Sequence, residues 1–146
     1  MKIDPGEFAA RRQYISSRRH PSLPLLVWSY NTRCEVDQAW DEITCMARGL
    51  ITDLDGNIHA RPFSRFRSLS ANAADLLDLR LLGEPRIFAK LDGSLGILYW
   101  DGLRPAIATR SSFDSPQAVW ATSWLASKAA RMSAPFRQGF TYLFGL

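Results

Sequence analysis

The sequence predicts an α+β protein built mainly on antiparallel sheet with helices packed against it. Three observations lead there. Short apolar runs are punctuated by Asp-Gly pairs at 55–56 and 101–102, which suit hairpins. Other segments repeat their apolar residues at helical spacing. The hairpins interleave with these helices without forming strict strand-helix-strand units, which speaks against a doubly wound parallel sheet.

The elements follow in order. Residues 8–19 carry Arg11, Arg12, Arg18 and Arg19 and read as a short basic helix, its arginines either a solvated face or contacts for a phosphate backbone, stopped by Pro21 and Pro24. Leu25-Leu26-Val27-Trp28 then reads as a buried strand. Val36, Ala39, Trp40, Ile43 and Ala47 recur at helical spacing, so a helix is expected over 37–46, with Asp37 capping its first amides. Gly49 to Leu54 and Ile58 to Pro62 flank Asp55-Gly56 as a hairpin with a type I′ turn. A helix is expected from Asn72 to Leu82, ended by Gly83 and Pro85.

Strands return with Ile87 to Lys90, Leu95 to Trp100 and Ala106 to Arg110, where Pro105 points to an edge or an irregular start. Ser115-Pro116 supplies a cap and a first-turn proline for a helix reaching about Met132. Its inward face is expected to be Val119, Trp120, Ser123 and Trp124. A last strand begins at Phe140, and the fold is expected to be incomplete at the C-terminus.

Composition narrows the function classes. With 146 residues, 47% of them apolar, the chain has material for one domain with a core. A formal charge of +4 suits an anionic partner but does not require one. No run approaches the ~20 apolar residues of a membrane span, and the start lacks a secretory block, so a soluble, cytoplasmic protein is expected. Cys34 and Cys45 have no metal-like spacing and read as buried free thiols. P-loop and dinucleotide-binding glycine patterns are absent. His20 and His59 are too few for a histidine triad or zinc site and read as packing or surface residues.

Lys90-Leu91-Asp92-Gly93-Ser94 carries the most chemical information. An amine attacks phosphorus only when deprotonated, and partial burial or neighbouring cations favour that form. Phe88 and Leu91 are placed to desolvate Lys90. Gly93 allows close backbone approach, and Asp92 can accept from a sugar or base or act beside a metal. An ordinary strand ending in an Asp-Gly turn accounts for the same letters.

Lys-x-Asp-Gly is also the nucleotidyl-transfer motif of covalent ligases and capping enzymes. Its surroundings resemble the adenylylation domain of phage-type ATP-dependent RNA ligases. Trp28-Ser29-Tyr30-Asn31, Ala47-Arg48-Gly49-Leu50-Ile51 and Ala60-Arg61-Pro62-Phe63-Ser64-Arg65-Phe66 resemble the upstream blocks. Thr109-Arg110-Ser111-Ser112-Phe113 and Phe140-Thr141-Tyr142-Leu143-Phe144 resemble the downstream ones, in matching order from about residue 25 onward.

The resemblance implies a nucleotidyltransferase-like fold, with 1–146 as one partial adenylylation domain. It also implies a reaction in which Lys90 takes AMP from ATP, with Mg²⁺, and passes it to an RNA 5′-phosphate that a 3′-hydroxyl then displaces. By position, Tyr30, Arg48, Arg65, Asp92, Gly93 and Arg110 would bind the nucleotide beside Lys90; Phe66 would stack on adenine or belong to the core. RNA ends are the implied partners, with a missing C-terminal segment or second polypeptide completing the fold and no membrane involved.

Departures from the pattern are Gly145 in place of a glutamate, Arg65 for a lysine, Arg67 for an aromatic and Ser111 for a glycine. The later acidic and lysine blocks are absent from the sequence. A non-catalytic RNA-end or nucleotide-binding module is therefore the alternative. A DNA ligase or capping-type transferase would use the same lysine on another acceptor.

Overall fold

In this computed structural model the described residues are 2–66, 84, 86, 88, 89, 92–102, 104–129 and 136–146. The expected helix at 72–82 and the nucleophile candidate Lys90 lie outside them. Helices are α1 (Pro5–Ala10), α2 (Thr32–Val36), α3 (Glu42–Met46) and α4 (Pro116–Ala129). Strands are β1 (Ile15–Arg19), β2 (Leu25–Tyr30), β3 (Arg48–Asp53), β4 (Ile58–Ala60), β5 (Leu95–Asp101), β6 (Arg104–Thr109) and β7 (Leu143–Gly145). They form two antiparallel sheets, β1-β2-β3-β4 and β6-β5-β7, so the α+β class and its antiparallel pairing hold.

Two-residue alternation explains the layering. Leu25, Val27 and Ile51 of the first sheet meet Ile97, Tyr99, Ala106 and Ala108 of the second in a shared core. The alternate residues Trp28 and Leu50 point the other way and pack with Phe8 of α1. On the far side of the second sheet, Leu98 and Ile107 meet Ala121 and Leu125 of α4. Both sheets are thus covered on both faces, which is why β2, β3 and β5 read as nearly continuous apolar runs. Leu50 and Ile97, fully buried, each contribute on the order of 1.5–3 kcal/mol.

Several local expectations are corrected. The basic segment is split: α1 ends at Ala10, and Arg18 and Arg19 lie on β1, paired with β2. Asp4-Pro5 starts the first helix earlier, with the Asp4 carboxylate accepting from Gly6 N at 2.8 Å. The helix expected at 37–46 is two short ones. Asp37 closes α2, while Asp41 caps α3 in a reciprocal box with Thr44, each bond 2.7 Å.

The hairpin at 55–56 forms, but Gly56 alone has positive φ (87°) in its turn. Gly56 N donates to Asp53 O, while the Asp53 carboxylate accepts from Asp55 N and Asn57 N, so side-chain bonding replaces a type I′ turn. In the second hairpin Asp101 still pairs with Arg104, and the turn starts at Gly102 (φ 64°). Pro105 lies on β6, an edge strand, as a residue without an N–H should. Phe88 and Ala89 belong to no strand.

The inward face of α4 is also corrected. Ala118, Ala121 and Leu125 are buried, and the Thr122 hydroxyl accepts from Ile107 N at 2.9 Å. Val119, Trp120, Ser123 and Trp124 face outward. Small residues let the helix settle close on β6, and an indole in that interface would hold the backbones apart. Cys34 is buried and Cys45 half-buried, both free thiols. Among the described residues, no helix is long and apolar enough to cross a membrane.

Candidate functional site

β2 ends and β3 begins on the same side of the first sheet, because they are antiparallel neighbours joined through α2 and α3. β5 begins and β6 ends together for the same reason in the second sheet. A cavity of about 780 Å³ lies where these four strand ends meet, lined by Tyr30, Arg48, Gly93 to Leu95 and Thr109 to Ser112. Arg18 of β1 and the first residues of α4, Pro116 and Gln117, complete much of the wall.

A glycine makes this junction possible. Between the pairs Trp28↔Leu50 and Ser29↔Arg48 the register shifts, leaving Gly49 as an extra residue with φ 88°. A Cβ on Gly49 would meet Ile97 Cδ1 at 2.3 Å and Arg110 Cα at 3.3 Å. The bulge takes Arg48 out of the strand's alternation and into the cavity wall, while the missing side chain lets the Arg110 backbone come close.

Arg110 sits at the tip of a turn closed by Thr109 N donating to Ser112 O at 2.8 Å. Ser111, next to it, has no positive φ, so serine there imposes no backbone strain at Arg110. Beyond the turn, the Ser115 hydroxyl bonds Thr109 Oγ1 at 3.2 Å and accepts from Ala118 N at 3.3 Å, anchoring the start of α4 to the same wall.

Aromatic faces hold the cations. The Arg110 guanidinium lies 4.8 Å from the Tyr30 ring centre, and Tyr30 meets Trp40 edge-on at 5.1 Å. Arg65 covers the Trp40 ring at 3.8 Å. Arg48 lies 5.4 Å from the Phe66 ring and donates to Phe63 O at 3.4 Å. The ion pairs among the described residues do not include Arg48, Arg65 or Arg110. A guanidinium held by stacking keeps its N–H fork for an anion.

Arg18 is different. Its Nη1 lies 3.5 Å from the Asp114 carboxylate and 3.4 Å from the Ser112 hydroxyl. Ser112 Oγ donates to Asp114 at 2.6 Å, and that bond, with Arg18 nearby, holds the Asp114 carboxyl below its ordinary range.

Of the residues expected at a nucleotide site, Tyr30, Arg48, Gly93 and Arg110 share the cavity wall. Arg65 does not line it and instead backs Trp40 behind Tyr30. Asp92 is exposed beside Gly93. Phe66 is 73% exposed, which removes it from the core. Phe88, expected to desolvate Lys90, is 80% exposed. Gly93 (φ 148°) does admit a close backbone approach, but by Leu146, whose carbonyl oxygen would lie 2.4 Å from a Cβ.

Arg18 is marked in the sequence only within the basic cluster that suits a phosphate backbone, while Ser112 belongs to the Thr109–Phe113 block and Asp114 and Gln117 flank the Ser115-Pro116 helix start without a binding signal of their own. No protein-family model and no curated protein matches the chain.

Proposed function

We propose that this chain is a nucleotidyltransferase of the ATP-dependent RNA ligase kind, with a nucleotidyltransferase-like fold and a nucleoside triphosphate held in the arginine cavity. One observation carries the reading: Tyr30, Arg48, Gly93 and Arg110, from four separated segments, line a single cavity. Such convergence is what a ligand with several phosphates and a ring needs, because arginine forks grip phosphate oxygens and an aromatic wall accepts a base.

In this reading Lys90, three residues before the wall residue Gly93, supplies the nucleophile. Its neutral Nζ attacks the α-phosphorus; the N–P bond forms, the α–β bridging P–O bond breaks, and pyrophosphate leaves with the electron pair. The attack needs the neutral amine, a form that cationic neighbours favour. Arg48 and Arg110 then act on the charge that builds up on the phosphate oxygens. An RNA 5′-phosphate oxygen next takes the AMP from Lys90, and a 3′-hydroxyl displaces AMP to close the strand.

No group of three or more metal-ligating side chains occurs among the described residues. Mg²⁺, when bound, would offset the charge of the triphosphate. Gly145 of β7, paired with Leu95 of β5, stands where the ligase pattern has a glutamate, which favours a second reading: binding without transfer.

The test is intact mass after incubation with ATP and Mg²⁺ and denaturation. A single AMP adduct that survives denaturation and vanishes in Lys90→Ala supports transfer. ATP binding that depends on Arg48 and Arg110, with no adduct under Mg²⁺ or Mn²⁺, supports the binding module; absence of both overturns the proposal.

A further inference from the structure

Helix α4 presents tryptophans to solvent. Trp120 is 62% and Trp124 44% exposed, and their rings lie near-parallel (21°) with centres 6.5 Å apart. Removing either from water would be favourable, yet the fold leaves both outside. Gln117, Trp120, Trp124 and Lys128 recur at three- and four-residue spacing, so they share one stripe of the helix. That stripe starts at the cavity, which Gln117 lines, and ends on a cation.

We propose that this stripe is a stacking track for single-stranded nucleic acid running out of the arginine cavity. Three features select that occupant over a protein surface. The exposed faces are flat indoles, and every base offers a π-face to an indole whatever its sequence. The helix contains no acidic residue to repel phosphates, and Lys128 sits in its last turn. At the cavity end, Arg48 and Arg110 continue the positive charge into the molecule. Trp120 and Trp124 are about 6 Å apart along the helix axis, so successive bases can each meet one ring.

The inference rests on the nucleotidyltransferase reading only for where the strand's end goes. Binding of a 5′-labelled single-stranded RNA of about ten nucleotides, followed by fluorescence anisotropy on the full chain, tests it. Trp120→Ala and Trp124→Ala should each weaken binding about tenfold and together about a hundredfold. Trp120→Phe and Trp124→Phe should retain most of the affinity, and adduct formation with ATP alone should be unchanged in all four.

Both side chains are exposed, so circular dichroism and Tm should match the wild type. If the wild type forms no AMP adduct yet binds RNA through these tryptophans, the track stands and the transfer chemistry falls. Unchanged RNA affinity in the double variant overturns the proposal. So does a concentration-dependent dimer that the double variant dissolves, since the stripe would then be covered by a second copy.

Discussion

Two aromatic clusters in this molecule use polar atoms in opposite ways. In the interior, His20, Tyr99 and Phe113 pack edge-to-face, with ring centres 4.8–5.6 Å apart. Their polar atoms bond inward: His20 Nδ1 accepts from Ser22 N and Leu23 N, and its Nε2 lies 2.9 Å from the Tyr99 hydroxyl. With Nδ1 accepting, the proton belongs on Nε2, which donates to Tyr99. At the cavity, Arg110 lies on the face of Tyr30 and lines the open space, while Arg65 covers the Trp40 ring that Tyr30 meets edge-on. The first arrangement is complete without a ligand; the second is a set of donors held ready for one.

The contrast can be broken most severely at the glycine between strand and cavity. Gly49→Val puts a branched side chain at positive φ and against Ile97, and should cost about 3 kcal/mol or more, read as a lowered urea midpoint. If stability is unchanged, the bulge is not what joins the sheets here.

Next come the donors. Arg48→Ala or Arg110→Ala should weaken ATP binding by about 1.5–3 kcal/mol, roughly tenfold to a hundredfold by calorimetry, while Tm moves little. A large fall in Tm with intact ATP affinity would make these arginines structural and erase the distinction between the clusters.

Tyr99→Phe should do the reverse, leaving the His20 N–H without its acceptor. A loss of about 1–2 kcal/mol in stability with ATP affinity preserved is the expected result. Burial also pushes the Tyr99 hydroxyl up to about 12, so it stays a neutral partner across the ordinary range.

The gentlest probe is pH. Burial lowers the His20 pKa below 6.5, against the opposing fields of Asp101 and Asp114. Between the two values the unfolded chain binds more protons than the folded one, so stability falls as pH drops below 6.5. The loss levels off under the folded pKa. His20→Gln should flatten this slope in denaturation series, while the acid losses from Asp53 and Asp114, whose carboxyls are lowered by hydrogen bonds, remain below pH 3.8.

Local chemistry made much of the fold legible. The apolar run at Leu25–Trp28, the Asp-Gly hairpin at 55–56 and the Ser115-Pro116 helix start each follow from neighbours a few residues apart; the last strand, expected from Phe140, starts only at Leu143, where pairing with β5 begins. The Asp37 cap failed because Asp, Ser and Thr compete for cap positions, and Asp41 wins through its reciprocal bond with Thr44. The basic segment failed because a strand with one buried residue, Ile15, resembles a polar helix when its partner is unknown.

The candidate site shows the same boundary. Residue type made the Lys90–Ser94 segment legible as chemistry, whereas Tyr30, Arg48, Arg65 and Arg110 became candidates only through the resemblance to the ligase pattern. Only the packing decided that Arg48 and Arg110 share a wall, that Arg65 stands behind it, and that Arg18 joins it from another strand. It also decided that Trp120 and Trp124 face water while Ala118 and Ala121 face the sheet. Hydrophobicity says that a side chain gains by burial; the space between two backbones says which side chain fits.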